Sequence, residues 1–79
     1  MARVLLFGRL ADIAGWRETT IAADSLSDLR DSLTATDAAL GEALAGPGVQ
    51  AAVDKVIVRG DTPLTAASEV AFLPPMSGG

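Results

Sequence analysis

The sequence predicts an α+β fold in which a mixed β-sheet carries its helices on one face. Three observations point there. The chain has 79 residues, enough for one small domain, and no linker divides it. Short runs rich in apolar and β-branched residues lie towards both ends, whereas leucines at helical spacing lie between them. The resulting order is strand, strand, helix, short helix and then strands, which gathers the helices into one layer instead of alternating them with strands. A hydrophobic content of 49% is that of a globular chain, not a disordered one.

Arg3-Val4-Leu5-Leu6-Phe7 is too short for a stable helix and reads as the first strand, ended by Gly8. Leu10 to Ala14 forms one helical turn, closed by Gly15 in the left-handed conformation. Glu18-Thr19-Thr20-Ile21-Ala22 is rich in β-branched residues and reads as a second strand paired with the first. Ser25 is placed to cap the main helix, with Asp28 three residues on where a capping box prefers Glu. Leu26, Leu29 and Leu33 then share one helical face. A shorter helical stretch from Asp37 to Ala45 carries Leu40 and Leu44, and Gly46-Pro47-Gly48 stops it.

Val49 to Arg59 returns to strand composition with a turn at Asp54-Lys55, and Asp61-Thr62-Pro63 is again turn chemistry. Glu69 to Leu73 is the last strand. Pro74-Pro75 cannot donate to a ladder, so Met76-Ser77-Gly78-Gly79 is expected to leave the body as a flexible tail. The domain is therefore expected over residues 1–75, with 76–79 as the Gly-Gly tail. Among small folds the β-grasp, the ubiquitin-like arrangement, fits this order best.

Strand alternation sorts the two faces of the sheet. Val4 and Leu6, Val56 and Val58, and Val70 and Phe72 form wholly apolar sets and are assigned to the core beneath the helices. The opposite set contains Leu5, Phe7, Ile57, Ala71 and Leu73, rimmed by Arg3, Arg9, Lys55, Arg59 and Glu69. One helical layer cannot cover both sides of a sheet, so this second face is expected to be an apolar protein interface, unless the short helix or a loop folds over it. Four of the six basic residues fall on its rim, which predicts a locally basic face and a partner with an acidic docking surface. The negative charge is expected on the helices, at Asp24, Asp28, Asp31, Asp37 and Glu42.

The side chains offer little chemistry. The chain has no cysteine, histidine or tyrosine, which removes thiolate metal sites, the commonest metal ligand and the commonest general base. Ten acidic residues against six basic ones give a net charge of −4, which argues against a nucleic-acid partner. No apolar run approaches membrane-span length and no secretory pattern opens the sequence, so a cytoplasmic location is expected. Asp28 and Asp31 read as a solvated helix face, Lys55 as a rim lysine and Trp16 as cover for the core edge. Ser77 has no histidine to activate it.

The remaining reactive group is the α-carboxylate of Gly79. Two glycines without Cβ atoms can enter a channel too narrow for other residues, and Gly78 can take dihedrals closed to them. Transfer of the carboxylate to the α-phosphate of a nucleotide makes an acyl adenylate, and a sulfur nucleophile can then displace AMP. A domain of this kind is a non-catalytic carrier whose tail works in another protein's active site.

With these residues in view, the chain resembles the molybdopterin synthase small-subunit family of ubiquitin-like sulfur carriers, over essentially its whole length. The resemblance lies in Val4-Leu5-Leu6-Phe7-Gly8, in Ala51-Ala52-Val53-Asp54, in Asp61-Thr62-Pro63-Leu64, and most specifically in Glu69-Val70-Ala71-Phe72-Leu73-Pro74-Pro75-Met76-Ser77-Gly78-Gly79. It implies that an adenylating enzyme related to ubiquitin-activating enzymes uses ATP and magnesium to adenylate Gly79, the chain itself binding no cofactor. A sulfurtransferase system then yields a thiocarboxylate. The tail inserts into the large synthase subunit, within a 2:2 heterotetramer, and delivers sulfur to a cyclic pyranopterin precursor of the molybdenum cofactor. By the same resemblance Phe7, Ile57 and Leu73 map to the surface used with both partners. Ala11-Asp12 and Asp54 stand where the family often carries Arg-Glu and Asn. A carrier for thiamine thiazole synthesis or tRNA thiolation, a protein modifier joined to lysines, and an interaction module with an inert tail stay open as alternatives.

Overall fold

The structure, a computed structural model, describes residues 1–75. The elements are β1 (Ala2–Leu6), α1 (Arg9–Ala14), β2 (Glu18–Ile21), α2 (Leu26–Thr36), α3 (Ala38–Leu44), β3 (Gln50–Val53), β4 (Val56–Val58) and β5 (Glu69–Leu73). The sheet order is β2-β1-β5-β3-β4. β1 and β5 pair in parallel at its centre, and the other neighbours are antiparallel, so the sheet is mixed. This is the β-grasp arrangement that the element order predicts.

The two central strands alternate most cleanly. Val4, Val70 and Phe72 are fully buried beneath Leu10, Leu26, Leu29, Leu33, Leu40 and Leu44, which places all three helices on one side of the sheet. Trp16 is half-buried against the edge of this core. No helix among the described residues is long and apolar enough to cross a membrane.

Helix α2 starts where expected, and its cap is more elaborate. The Ser25 hydroxyl accepts from the Asp28 N–H at 3.1 Å. In place of a reciprocal bond from Asp28, the turn after β4 reaches across. Asp61 Oδ1 accepts from the Ser27 N–H at 2.8 Å, and the Thr62 carbonyl accepts from the Leu26 N–H at 2.8 Å. Three amides of the first turn thus find partners, two of them in a segment that an isolated helix would lack.

Asp37 ends α2 and begins α3. Its N–H donates to the Leu33 carbonyl, and its Oδ1 accepts from the Leu40 N–H at 3.1 Å. The corner closes tightly because Gly41 lies directly on Thr34, where a Cβ would come within 2.7 Å of Thr34 side-chain atoms.

Asp54 and Lys55 both have positive φ, 50° and 70°, as a two-residue hairpin between β3 and β4 demands. Asp54 tolerates this conformation, and its Oδ1 also accepts from the Glu69 N–H at 2.9 Å, which ties the hairpin to the start of β5. Asp54 therefore meets both demands of the turn. One core assignment is corrected here. Val56 shares its side of the sheet with Val53 and Val70 but is 64% exposed, because β4 is an edge strand of three residues lying beyond the leucines of the helical layer. Val58, one step nearer the centre, is half-buried against the core.

Candidate functional site

The strand registers fix the side of the sheet that the helices leave bare. One row across it runs Glu18, Leu5, Ala71, Ala52, Ile57, each residue opposite the next in the ladders. The row below holds Leu73, opposite Gln50, and beside it Phe7, whose N–H donates to the Phe72 carbonyl at 3.3 Å. Phe7 is 46% exposed and Ile57 45%, while Leu5, Ala71 and Leu73 are half-buried. Neither the short helix nor a described loop covers this face, since α3 packs against α1 and α2 on the opposite side. The alternation argument therefore placed Leu5, Phe7, Ile57 and Leu73 correctly. Ala52, nearly buried between Ala71 and Ile57, belongs to the same surface and is too small to have stood out in the sequence.

The charge on the rim differs from the expectation. The Arg3 guanidinium is engaged by two carboxylates: Nε and Nη2 donate to Glu18 at 2.6 and 3.0 Å, and Nη1 donates to Glu69 at 3.4 Å. The Glu18 hydrogen bond, aided by its charge, raises the Arg3 pKa. The same bond holds the Glu18 carboxyl below its ordinary range. Arg3 is thus the centre of a neutralised network, not a free cation offered to a partner. Glu18 was the residue to find: it shares a face with Thr20, and the register Leu5↔Glu18 sets that face outward and brings Glu18 diagonally beside Arg3.

Arg9 is a second correction. The strand ends at Leu6, and Gly8 turns the chain with φ 57° and ψ −136°, so Arg9 opens α1. It lines a groove with Ile13, Pro47, Val49 and Pro75 instead of bordering the sheet. Arg59 and Lys55 are exposed at the β4 end of the face. The surface is therefore an apolar centre with an ion-paired network at one end and two cations at the other.

β5 runs across this face and ends at Leu73, beside Phe7, before Pro74-Pro75. The chain thus leaves the sheet at the edge of the apolar surface. Gly78 and Gly79, like Met76 and Ser77, lie outside the described residues. Among the described residues, no three acidic side chains converge into a set that could hold a metal ion. What the arrangement offers is an exposed apolar surface contiguous with the end of β5.

Comparison with known proteins adds an independent line. Residues 4–79 match the model of the ThiS family. The chain is 37% identical over 81 aligned positions to the molybdopterin synthase sulfur carrier subunit of Escherichia coli (strain K12), with all of both chains covered. The small archaeal modifier protein 1 of Methanosarcina acetivorans superposes with a TM-score of 0.87 at 26% identity, covering 99% of this chain and 95% of that one. Subunits of the molybdopterin-converting factor from Helicobacter pylori 26695, solved as a complex of subunits 1 and 2, include a chain similar at a TM-score of 0.76 and 26% identity, covering 99% and 97%.

Proposed function

The chain belongs to the ThiS family, and from that premise we propose that it is the sulfur-carrier small subunit of a molybdopterin synthase. The observation that carries this reading is the bare apolar face formed by Leu5, Phe7, Ala71, Leu73 and Ile57, contiguous with the strand that leads to Gly78-Gly79. Identity along the whole length to a relative named as such a subunit supports it. Likeness to a chain from a complex of two molybdopterin-converting-factor subunits supports a large-subunit partner.

The chemistry rests on Gly79. Its carboxylate oxygen attacks the α-phosphorus of ATP in the site of an adenylating enzyme, and pyrophosphate leaves. A persulfide of the sulfurtransferase system then attacks the acyl carbon and AMP leaves; a thiol next attacks the sulfurtransferase-side sulfur of the acyl disulfide, a disulfide forms, and the terminus is released as a thiocarboxylate. In the large subunit the sulfur passes to the pyranopterin precursor, and the carboxylate is regenerated. Magnesium and ATP belong to the adenylating partner, and the acid and base groups belong to the large subunit. This chain contributes the docking face and a terminus narrow enough to enter both sites.

Co-expression with a large synthase subunit tests the reading. The two chains are expected to purify as one complex that converts the pyranopterin precursor. Removal of Gly79 is expected to abolish conversion while leaving the complex intact. Conversion supported by the truncated chain would contradict the assignment. A second reading, a ubiquitin-like protein modifier, is favoured by the likeness to a small archaeal modifier protein. Recovery of the chain in isopeptide linkage to lysines of other proteins would select it instead.

A further inference from the structure

We propose that Gly8 and Gly48 form a backbone clamp on Pro74-Pro75 that sets the direction in which residues 76–79 leave the domain. They would thereby serve as positioning residues for reaction at Gly79, a role that rests on the carrier reading above.

The two glycines come from separate parts of the chain. Gly8 joins β1 to α1, and Gly48 lies in the connection between α3 and β3. Each meets one of two consecutive prolines. A Cβ built on Gly8 would lie 3.0 Å from Pro74 Cγ, and one built on Gly48 would lie 2.7 Å from Pro75 Cβ and 3.5 Å from Pro75 Cα. Both have positive φ, 57° and 82°, and the Gly8 pair of φ 57° and ψ −136° is open to little but glycine. Positive φ accounts for glycine at each position taken alone. It does not account for both bare backbones abutting successive proline rings immediately before the tail.

The consequence is mechanical. Proline locks φ near −65°, so Pro74-Pro75 is a stiff spacer, and the close approach of one glycine backbone to each ring limits where it points. Gly79 lies four residues beyond Pro75, a stretch that spans at most about 14 Å when extended. A carboxylate on so short a tether reaches a partner's reacting atoms only when the tether sets out in the right direction, and a misplacement of ~1 Å can cost on the order of a hundredfold in rate. The clamp also shares its frame with the docking face. Phe7 immediately precedes Gly8, and Leu73 immediately precedes Pro74. A partner that seats Phe7 and Leu73 therefore engages the same rigid frame that holds Pro74-Pro75.

The test uses the full chain with its adenylating enzyme and measures the saturating rate of pyrophosphate release, the affinity for that enzyme and thermal stability. Gly48→Ala and Pro75→Gly are each expected to lower the saturating rate about tenfold with affinity unchanged. The double variant is expected to be no slower than either single one, because both disrupt the same contact. Pro75→Gly adds no atom at an exposed position, so a wild-type rate in that variant overturns the clamp even if Gly48→Ala folds poorly. Wild-type rates in both variants, multiplying effects in the double variant, or losses that follow affinity or unfolding would overturn the clamp. A wild-type chain that is not adenylated at all would overturn the carrier reading, and the clamp's role with it, whereas normal wild-type turnover with unaffected variants would overturn the clamp alone.

Discussion

Phe7, one residue past the end of β1, lies diagonally beside Phe72 of β5, yet one is 46% exposed and the other fully buried. Their truncations should have opposite consequences. Phe72→Ala is expected to cost about 3–5 kcal/mol of stability in a denaturant titration, since it opens a cavity in the core. Phe7→Ala is expected to leave the unfolding midpoint nearly unchanged and to weaken binding of the large subunit by about 1–2 kcal/mol, measured by calorimetry. Alternation alone separates these two residues, so this part of the site was legible in the sequence. The state of Arg3 was not, because its carboxylate partners at Glu18 and Glu69 are 15 and 66 residues away. That pair has a pH signature. The Glu18 carboxyl is held below its ordinary range by Arg3, so its contribution is fully present above the unfolded value and is lost as pH falls through the folded one. The stability difference between wild type and Glu18→Gln should therefore be constant near neutrality and shrink on acidification below about pH 4.3. A difference that grows in acid would contradict the pairing. Both side chains are half exposed, so the effect at neutral pH is small.

Among the elements, α2 shows what local pattern can and cannot specify. Ser25 and the leucine spacing mark its start and its buried face in the sequence alone. The bond from Asp61 to the Ser27 amide spans 34 residues, and no local rule points to it. Ser25→Ala is expected to cost about 1 kcal/mol by loss of the Asp28 N–H acceptor, a modest loss because Asp61 and Thr62 still hold neighbouring amides. The α2–α3 corner is less forgiving. Gly41→Ala would press a Cβ against Thr34, whose hydroxyl is committed to the Arg30 carbonyl at 2.9 Å, and is expected to destabilise by about 1–3 kcal/mol in thermal or chemical unfolding. A glycine inside a helix gives no sequence cue to such a contact beyond its poor propensity. β4 fails in the other direction: its valines read as core, but an edge strand of three residues leaves Val56 in solvent.

At the scale of the molecule, the element order pointed to the β-grasp, while the parallel pairing of β1 with β5 is a long-range choice that emerges only when α2 and α3 cross the sheet. That pairing brings Phe7 and Leu73 together and places the docking face at the root of the C-terminal segment. On the proposed function, the chain's lack of histidine and cysteine assigns the acid, base and thiol chemistry to its partners. The central claim is that Gly79 carries sulfur, and intact-mass spectrometry tests it most directly. The chain is incubated with its adenylating enzyme, ATP, magnesium and a sulfur donor. The expected result is a gain of about 16 Da, sulfur for oxygen, confined to the C-terminal fragment and absent without ATP. An unchanged mass, under conditions in which the same enzyme mixture modifies another carrier of the family, would contradict the claim.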